Sequence, residues 1–132
     1  MPIRVRHLTD LVECQEVWGL VFPEEFVSDL WDFRACFLRH FQRPTLFLVA
    51  EGDGRVCGLL PLSWIEEAQD YGYFPGETWE GKTWLEQNRV IASSPAVLHA
   101  LLAACPQPYH LRYLLPIDAA PASQAVTDEI GY

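Results

Sequence analysis

Apolar and polar positions change rhythm several times along the chain, and each change marks an element. "IRVRHL" (residues 3–8) alternates apolar and basic residues, the period of a first, edge-like strand. "TDLVECQEVWGLVF" follows with Leu11, Cys14, Val17 and Trp18 on one helical face. Asp10 and Glu13 are spaced as a capping box, and Pro23 stops the helix. "EEFVSDLWDFRACFLRHF" predicts a second helix with Ser28 as cap. Its core stripe is expected at Leu30, Phe33, Phe37 and Phe41, and Pro44 ends it.

"TLFLVAEGDGRVCGLLPLSWI" places two apolar runs around Gly52-Asp53-Gly54, residues that accept positive φ. It reads as a β-hairpin with both arms largely buried. "YGYFPG" is a short aromatic strand or turn, and Val90-Ile91-Ala92 closes a further ambiguous segment. "SSPAVLHALLAAC" predicts a helix capped by Ser93 or Ser94, with Pro95 at its first position. "YHLRYLLP" is a last strand, and the Ala/Pro/Ser-rich tail 116–132 reads as a linker or the start of a further segment. The order β-α-α-β-β-β-α-β predicts an α/β (α+β) domain over residues 1–115, with a mixed, largely antiparallel sheet flanked by helices.

Composition narrows the function. The 132 residues fit one domain, and 50% hydrophobic content supports a packed core. A net charge of −9 disfavours nucleic acid and anionic membrane surfaces as partners, since both need a basic patch. No apolar run approaches the ~20 residues of a membrane-spanning helix. Cys14, Cys36, Cys57 and Cys105 form no C-x-x-C pair and have apolar neighbours, as four buried, reduced thiols of a cytoplasmic protein do. The N-terminus lacks the apolar core of a signal peptide.

Element order, together with the hairpin Leu46–Ala50, Gly52–Gly54 and Gly58-Leu59-Leu60-Pro61-Leu62 and the following Tyr73-Phe74-Pro75-Gly76, resembles the first half of the GNAT acyltransferase fold. It looks most like the N-terminal half of tandem-GNAT proteins, the group of Fem-type aminoacyl transferases and CelD-like proteins. The resemblance implies a part in acyl or aminoacyl transfer to an amine acceptor. A catalytic GNAT half carries an R/Q-x-x-G-x-G/A loop whose amides bind the acyl-CoA pyrophosphate. In the corresponding "NRVIASSPAVLHALL", Arg89 is present and the glycines are not. Arg89, Ser93 and Ser94 are therefore weak cofactor-binding candidates. No cofactor is expected in this chain alone, while a full-length protein would use acyl-CoA or an aminoacyl donor. Its partners would be a small-molecule or amine-bearing substrate and a second GNAT-like half or a second copy. The alternative is a non-catalytic binding module. The ending "TDEIGY" reads as mid-domain sequence, so the gene is expected to continue past Tyr132.

"GETWEGKT" (residues 76–83) matches the phosphate-binding pattern G-x-x-x-x-G-K-[ST]. Its context argues against a nucleotide site. Pro75 precedes it, Glu77 and Glu80 would repel phosphates, and little helix fits behind it. What remains is the chain's only lysine, Lys82, between Trp79 and Trp84, with Glu86 and Asn88 beyond. Tyr73, Trp79, Lys82, Trp84, Glu86 and Asn88 are the candidates for a substrate groove; aromatic and carboxylate groups suit a polar or cationic ligand. His7, His40, His99 and His110 are scattered without metal-ligand spacing, so no metal is expected.

Overall fold

The computed structural model describes residues 2–76, 87–112, 114–115 and 129–131. Its elements run β1 (Arg4–Leu8), α1 (Leu11–Val21), a 3-10 turn (Val27–Asp29), α2 (Trp31–Phe41), β2 (Thr45–Gly52), β3 (Arg55–Ile65), β4 (Asp70–Tyr73), β5 (Ile91–Ala92), α3 (Pro95–Ala104), β6 (His110–Arg112) and β7 (Glu129–Gly131). Among the described residues the molecule is mixed α/β, with three α-helices and a mostly antiparallel open sheet.

The β2–β3 hairpin is its centre. Asp53 and Gly54 both take positive φ (53° and 74°), and Gly52 pairs with Arg55, so the connection is a two-residue turn of the I′ kind. β1 pairs antiparallel with β2, and β4 pairs antiparallel with β3. A register shift leaves Cys57 as an extra residue of β3, a β-bulge; its carbonyl accepts from Ser93 N (3.0 Å) at the entrance to α3.

The outer edge of β3 is shared. β4 takes residues 62–65 and β5 takes Gly58 and Leu59. Leu60 and Pro61 face the gap between them, where the chain leaves after Tyr73 and returns before Ile91. This is why a proline is tolerated mid-strand: it needs no donor where the neighbour strand is interrupted. Its carbonyl still accepts from Phe74 N (3.1 Å). Beyond β4 and β5 runs the segment containing β6. It is parallel to them at the bridges Tyr71–Tyr109 and Asn88–Leu114, with α3 as the crossover. β7 pairs antiparallel with β6, so the tail, read as a linker or the start of a further segment, contributes a short strand.

The core has two layers on the sheet. Phe47 on one face meets Trp18, Trp31 and Phe74 at ring separations of 6.2, 6.3 and 5.0 Å. Gly58 faces the other way, onto Val97 and Leu101 of α3. Ser94 caps α3 as expected, its hydroxyl accepting from Val97 N (3.3 Å), with Pro95 at the first position.

Several local expectations are corrected. Asp10 occupies the N-cap of α1 but makes no side-chain cap bond, and Leu11 is 44% exposed. α2 begins at Trp31 with Leu30 as N-cap, not Ser28, whose hydroxyl instead donates to Gln87 Oε1 (3.3 Å). The α2 residues turned inward are Trp31, Arg34 and Leu38, while Phe33, Phe37 and Phe41 line a half-buried flank, the first pair edge to face and the second stacked, and Leu30 is exposed. Both stripes satisfy helical spacing. The anchoring of Trp31 between Trp18 and Phe74 decides which one faces the sheet. Of the cysteines only Cys14 and Cys105 are buried; Cys57 is half-buried and Cys36 exposed, all four as free thiols.

Candidate functional site

Trp79, Lys82, Trp84 and Glu86 lie outside the described residues. The structure does describe the chain on either side of segment 77–86, residues 73–76 and 87–89, and a buried polar network joins these two roots. At the first root, Phe74-Pro75 is a cis peptide, and Gly76 N donates to Tyr73 O (2.8 Å) across a tight turn. Gly76 has φ +95°, and a Cβ there would stand 2.7 Å from Arg43 Cγ, so both backbone and space favour glycine. The second root, Gln87-Asn88-Arg89, is extended; Leu115 N donates to Asn88 O (2.8 Å).

Arg34 joins the roots. It is 1% exposed. Its Nη1 donates to Phe74 O (3.0 Å) and to Asn88 Oδ1 (2.8 Å), and its Nη2 donates to Gln87 O (2.9 Å). Its Nε donates to Ser28 O (2.8 Å), tying the same group to the 3-10 turn. The guanidinium also lies over the rings of Tyr73 (5.0 Å) and Trp18 (5.7 Å). A planar fork of donors suits this set of divergent oxygen acceptors, which an ammonium cannot span.

Tyr73 closes a second link. Its hydroxyl donates to Arg89 O and accepts from Arg89 N (3.1 Å). Burial pushes the phenol's pKa up, against the opposing pull of the Arg34 charge, so the hydroxyl stays protonated. Asp29 supplies the third link, with its side chain fully buried. Its carboxylate accepts from Glu25 N (3.2 Å) and Phe26 N (2.9 Å), and takes Arg89 Nε (2.6 Å) and Nη2 (3.2 Å). Arg89 Nη2 also reaches Glu25 Oε1 (2.6 Å). Burial works against the Arg89 charge, but the hydrogen bonds it donates to Asp29 and Glu25, with their negative charges, outweigh it and its pKa rises. Trp18 Nε1 donates to the Asp29 carbonyl (2.8 Å), fastening α1 to the same turn.

The network binds and orients; it presents no activated nucleophile or base. Burial, helped by Asp10 and Glu13, pushes the Cys14 thiol up to about 12, and burial alone does the same to Cys105. Among the described residues no His/Cys/Asp/Glu group is arranged to hold a metal, and no helix is long and apolar enough to cross a membrane. Of the predicted site residues, Tyr73 and Asn88 are buried in the network, Arg89 is held by two carboxylates, Ser94 serves as a helix cap and Ser93 is exposed. Only residues 84–86 stand between Thr83 and the extended second root, so the long helix that a phosphate-binding loop opens has no room there.

Sequence reasoning missed Arg34 and Asp29. The available signal was Arg34 lying on the Trp31–Leu38 stripe, a charge on an apolar helix face. Comparison of the chain with protein-family models, with curated proteins and with solved structures returned no match.

Proposed function

We propose that the chain is a GNAT-like half of an acyl or aminoacyl transferase, lacking its own acyl-CoA pyrophosphate loop and contributing to the amine-acceptor groove. The observation that carries this reading is the sequence of connections. An antiparallel β1–β4 meander is followed by a parallel strand–helix–strand crossover through α3, reported by the bridges Tyr71–Tyr109 and Asn88–Leu114. An antiparallel meander with one late crossover helix supports this reading at the level of α/β architecture. The start of α3 argues against a cofactor of its own: the Ser94 hydroxyl already occupies the Val97 amide, Pro95 has no amide to offer, and Arg89 is engaged by Asp29 and Glu25. The donor, acyl-CoA or an aminoacyl ester, would then be held by a second GNAT-like half or a second copy. The groove itself is assigned to Tyr73, Trp79, Lys82, Trp84, Glu86 and Asn88, of which Tyr73 and Asn88 are among the described residues.

A non-catalytic interaction module is the second reading. It is favoured by the half-buried Phe33–Phe37–Phe41 row along α2, which the sheet does not use.

Titration calorimetry with acetyl-CoA and with ATP-Mg²⁺ tests both. Neither is expected to release saturable heat with this chain alone. Micromolar acetyl-CoA binding overturns the cofactor-free half, and micromolar ATP binding lost in Lys82→Ala restores the nucleotide reading. Tryptophan fluorescence then separates the remaining two: a lysyl peptide changes the emission, and Lys82→Ala alters that response, only if the segment is an acceptor groove.

A further inference from the structure

β1 is an edge strand. Its residues Arg4–Leu8 pair with β2, and among the described residues nothing pairs with its other side. An unpaired edge offers a row of backbone donors and acceptors to any extended chain. The side chains decide which chain. Arg4 and Arg6 stand two residues apart in a strand and so share one face. Arg4 lies directly across from Glu51, and Arg6 lies diagonally to it. Both guanidiniums turn to the same carboxylate oxygen, Glu51 Oε1, Arg6 Nε at 2.8 Å and Arg4 Nη2 at 3.6 Å. Two positive charges thus share one negative charge, and among the described residues neither has a second carboxylate at ion-pair distance. Ile3 and Val5, on the opposite face, are half-buried against the core. At its Arg4 end the edge opens into a cavity of about 310 Å³ lined by Pro2, Arg4, Glu51, Gly52, Asp53 and Gly54.

We propose that the β1 edge is a docking surface for an extended acidic peptide, which adds to the sheet as a further strand. Main-chain hydrogen bonds to β1 hold the peptide, and its alternate side chains set the specificity. Carboxylates on one face of the added strand meet Arg4 and Arg6 and supply the counter-charge that Glu51 alone does not. Apolar residues between them continue the Ile3–Val5 face. The cavity leaves room for the end of the strand, because the glycines of the hairpin turn add no side chains to it. The same arginines reject a second copy of this edge. Antiparallel pairing of β1 with itself, centred on Val5 or Arg6, sets arginine opposite arginine, and like charges directly opposite are destabilising. The chain's net charge of −9 repels an acidic ligand at long range, so the attraction is local to the two arginines. The inference does not use the transferase reading, since no residue of this edge is assigned to the acceptor groove.

The test titrates the whole chain, isotope-labelled for NMR, with three acetylated and amidated hexapeptides. One is Thr-Glu-Val-Glu-Val-Thr; the others carry Gln or Lys in place of both Glu residues. The glutamate peptide is expected to give saturable backbone amide shifts centred on residues 3–8 and the adjoining turn. Its affinity should exceed that of the Gln peptide by about threefold and that of the Lys peptide by about tenfold. Arg4→Glu changes a side chain that is 80% exposed, so it should fold as wild type by far-UV circular dichroism and lose or invert that ranking. The three-peptide comparison on wild type decides the matter even without the variant. No saturable shift up to about 1 mM glutamate peptide overturns the inference. So does equal or tighter binding of the lysine peptide, the one that the net charge of −9 favours, or a set of shifts centred away from β1. A concentration-dependent dimer whose shifts map to β1 overturns it as well, because the occupant is then a second copy. None of these outcomes depends on whether an acyl donor or an amine acceptor binds, so failure here and failure of the transferase reading are told apart.

Discussion

Replacing Gly58 with alanine tests how the crossover helix is seated. A Cβ on Gly58 would stand 2.6 Å from Val97 Cγ1, 2.8 Å from Ile91 O and 3.1 Å from Leu101 Cδ1. Two of these are side chains in a fully packed layer, with Val97 1% and Leu101 0% exposed. The third is backbone of β5 and cannot rotate away. Overpacking of this kind costs about 1–3 kcal/mol. For a chain of this size each kcal/mol is roughly 3–6 °C in Tm, between the values for smaller and larger domains. Urea unfolding of Gly58→Ala at neutral pH, with unchanged m-value, should show that loss. Val97→Ala alone removes two buried methyls, about 1.5–3 kcal/mol including the cavity. In the double variant the new Cβ enters the space that Cγ1 vacates. The two losses should then fall short of their sum by about 1 kcal/mol, without full rescue because the Ile91 O contact remains. A Gly58→Ala protein within about 0.5 kcal/mol of wild type, or strict additivity in the double variant, refutes the seating of α3 on Gly58.

Other outcomes follow from the same contacts. Asp29→Ala strips a fully buried carboxylate from Arg89 and from two backbone amides; denaturant unfolding should lose about 3–5 kcal/mol, and a loss below 1 kcal/mol would sink the buried-pair account. A thiol reagent at neutral pH should label exposed Cys36 rapidly and leave buried Cys14 and Cys105, whose thiols are pushed up to about 12, untouched until denaturation. Rapid native labelling of either buried thiol contradicts their burial. The hydrogen bond to Arg43 holds the Glu67 carboxyl down, from 4.5 to about 2. A depressed folded value means the pair stabilises above the unfolded pKa, and that contribution fades as pH falls from about 4.5 toward 2. NMR titration of Glu67 at low salt should show the depression, and Arg43→Gln should abolish it. A wild-type midpoint near 4.5 refutes the pairing.

Periodic elements were legible in the sequence for physical reasons that can be named. Gly52-Asp53-Gly54 and its apolar flanks specify one hairpin because few residue pairs accept two positive φ values in succession. Ser94-Pro95 specifies one helix start because the cap and the missing amide are both local. Packing direction was not local. α2 offers a Leu30–Phe33–Phe37–Phe41 stripe and a Trp31–Arg34–Leu38 stripe, and hydrophobicity alone prefers the first. Tertiary contacts choose the second, since Arg34 finds oxygen acceptors on the preceding 3-10 turn and on two chain segments distant in sequence. Nothing within a helical window reports those acceptors. The strand at Glu129–Gly131 was hidden for a similar reason: its partner β6, at residues 110–112, supplies the hydrogen bonds, and its own composition carries little β signal.

The P-loop pattern at Gly76–Thr83 is best understood through its first glycine. In a phosphate cradle that glycine frees backbone amides for a ligand. Here the Gly76 amide is consumed by Tyr73 O, and its missing Cβ makes room for the Arg43 side chain. A Gly76→Ala protein separates the two roles. Its φ of +95° and a 2.7 Å approach to Arg43 Cγ both penalise a methyl. Positive-φ strain costs about 1–3 kcal/mol, and the flexible Arg43 can yield part of the steric contribution. If Gly76 is a structural turn, alanine lowers Tm correspondingly and disturbs the Arg43–Glu67 pair seen in the Glu67 titration. If it were a phosphate cradle, the loss would appear in nucleotide affinity while the Glu67 titration stayed where it was. A Gly76→Ala protein with wild-type Tm and an unmoved Glu67 midpoint would remove the structural explanation for this glycine.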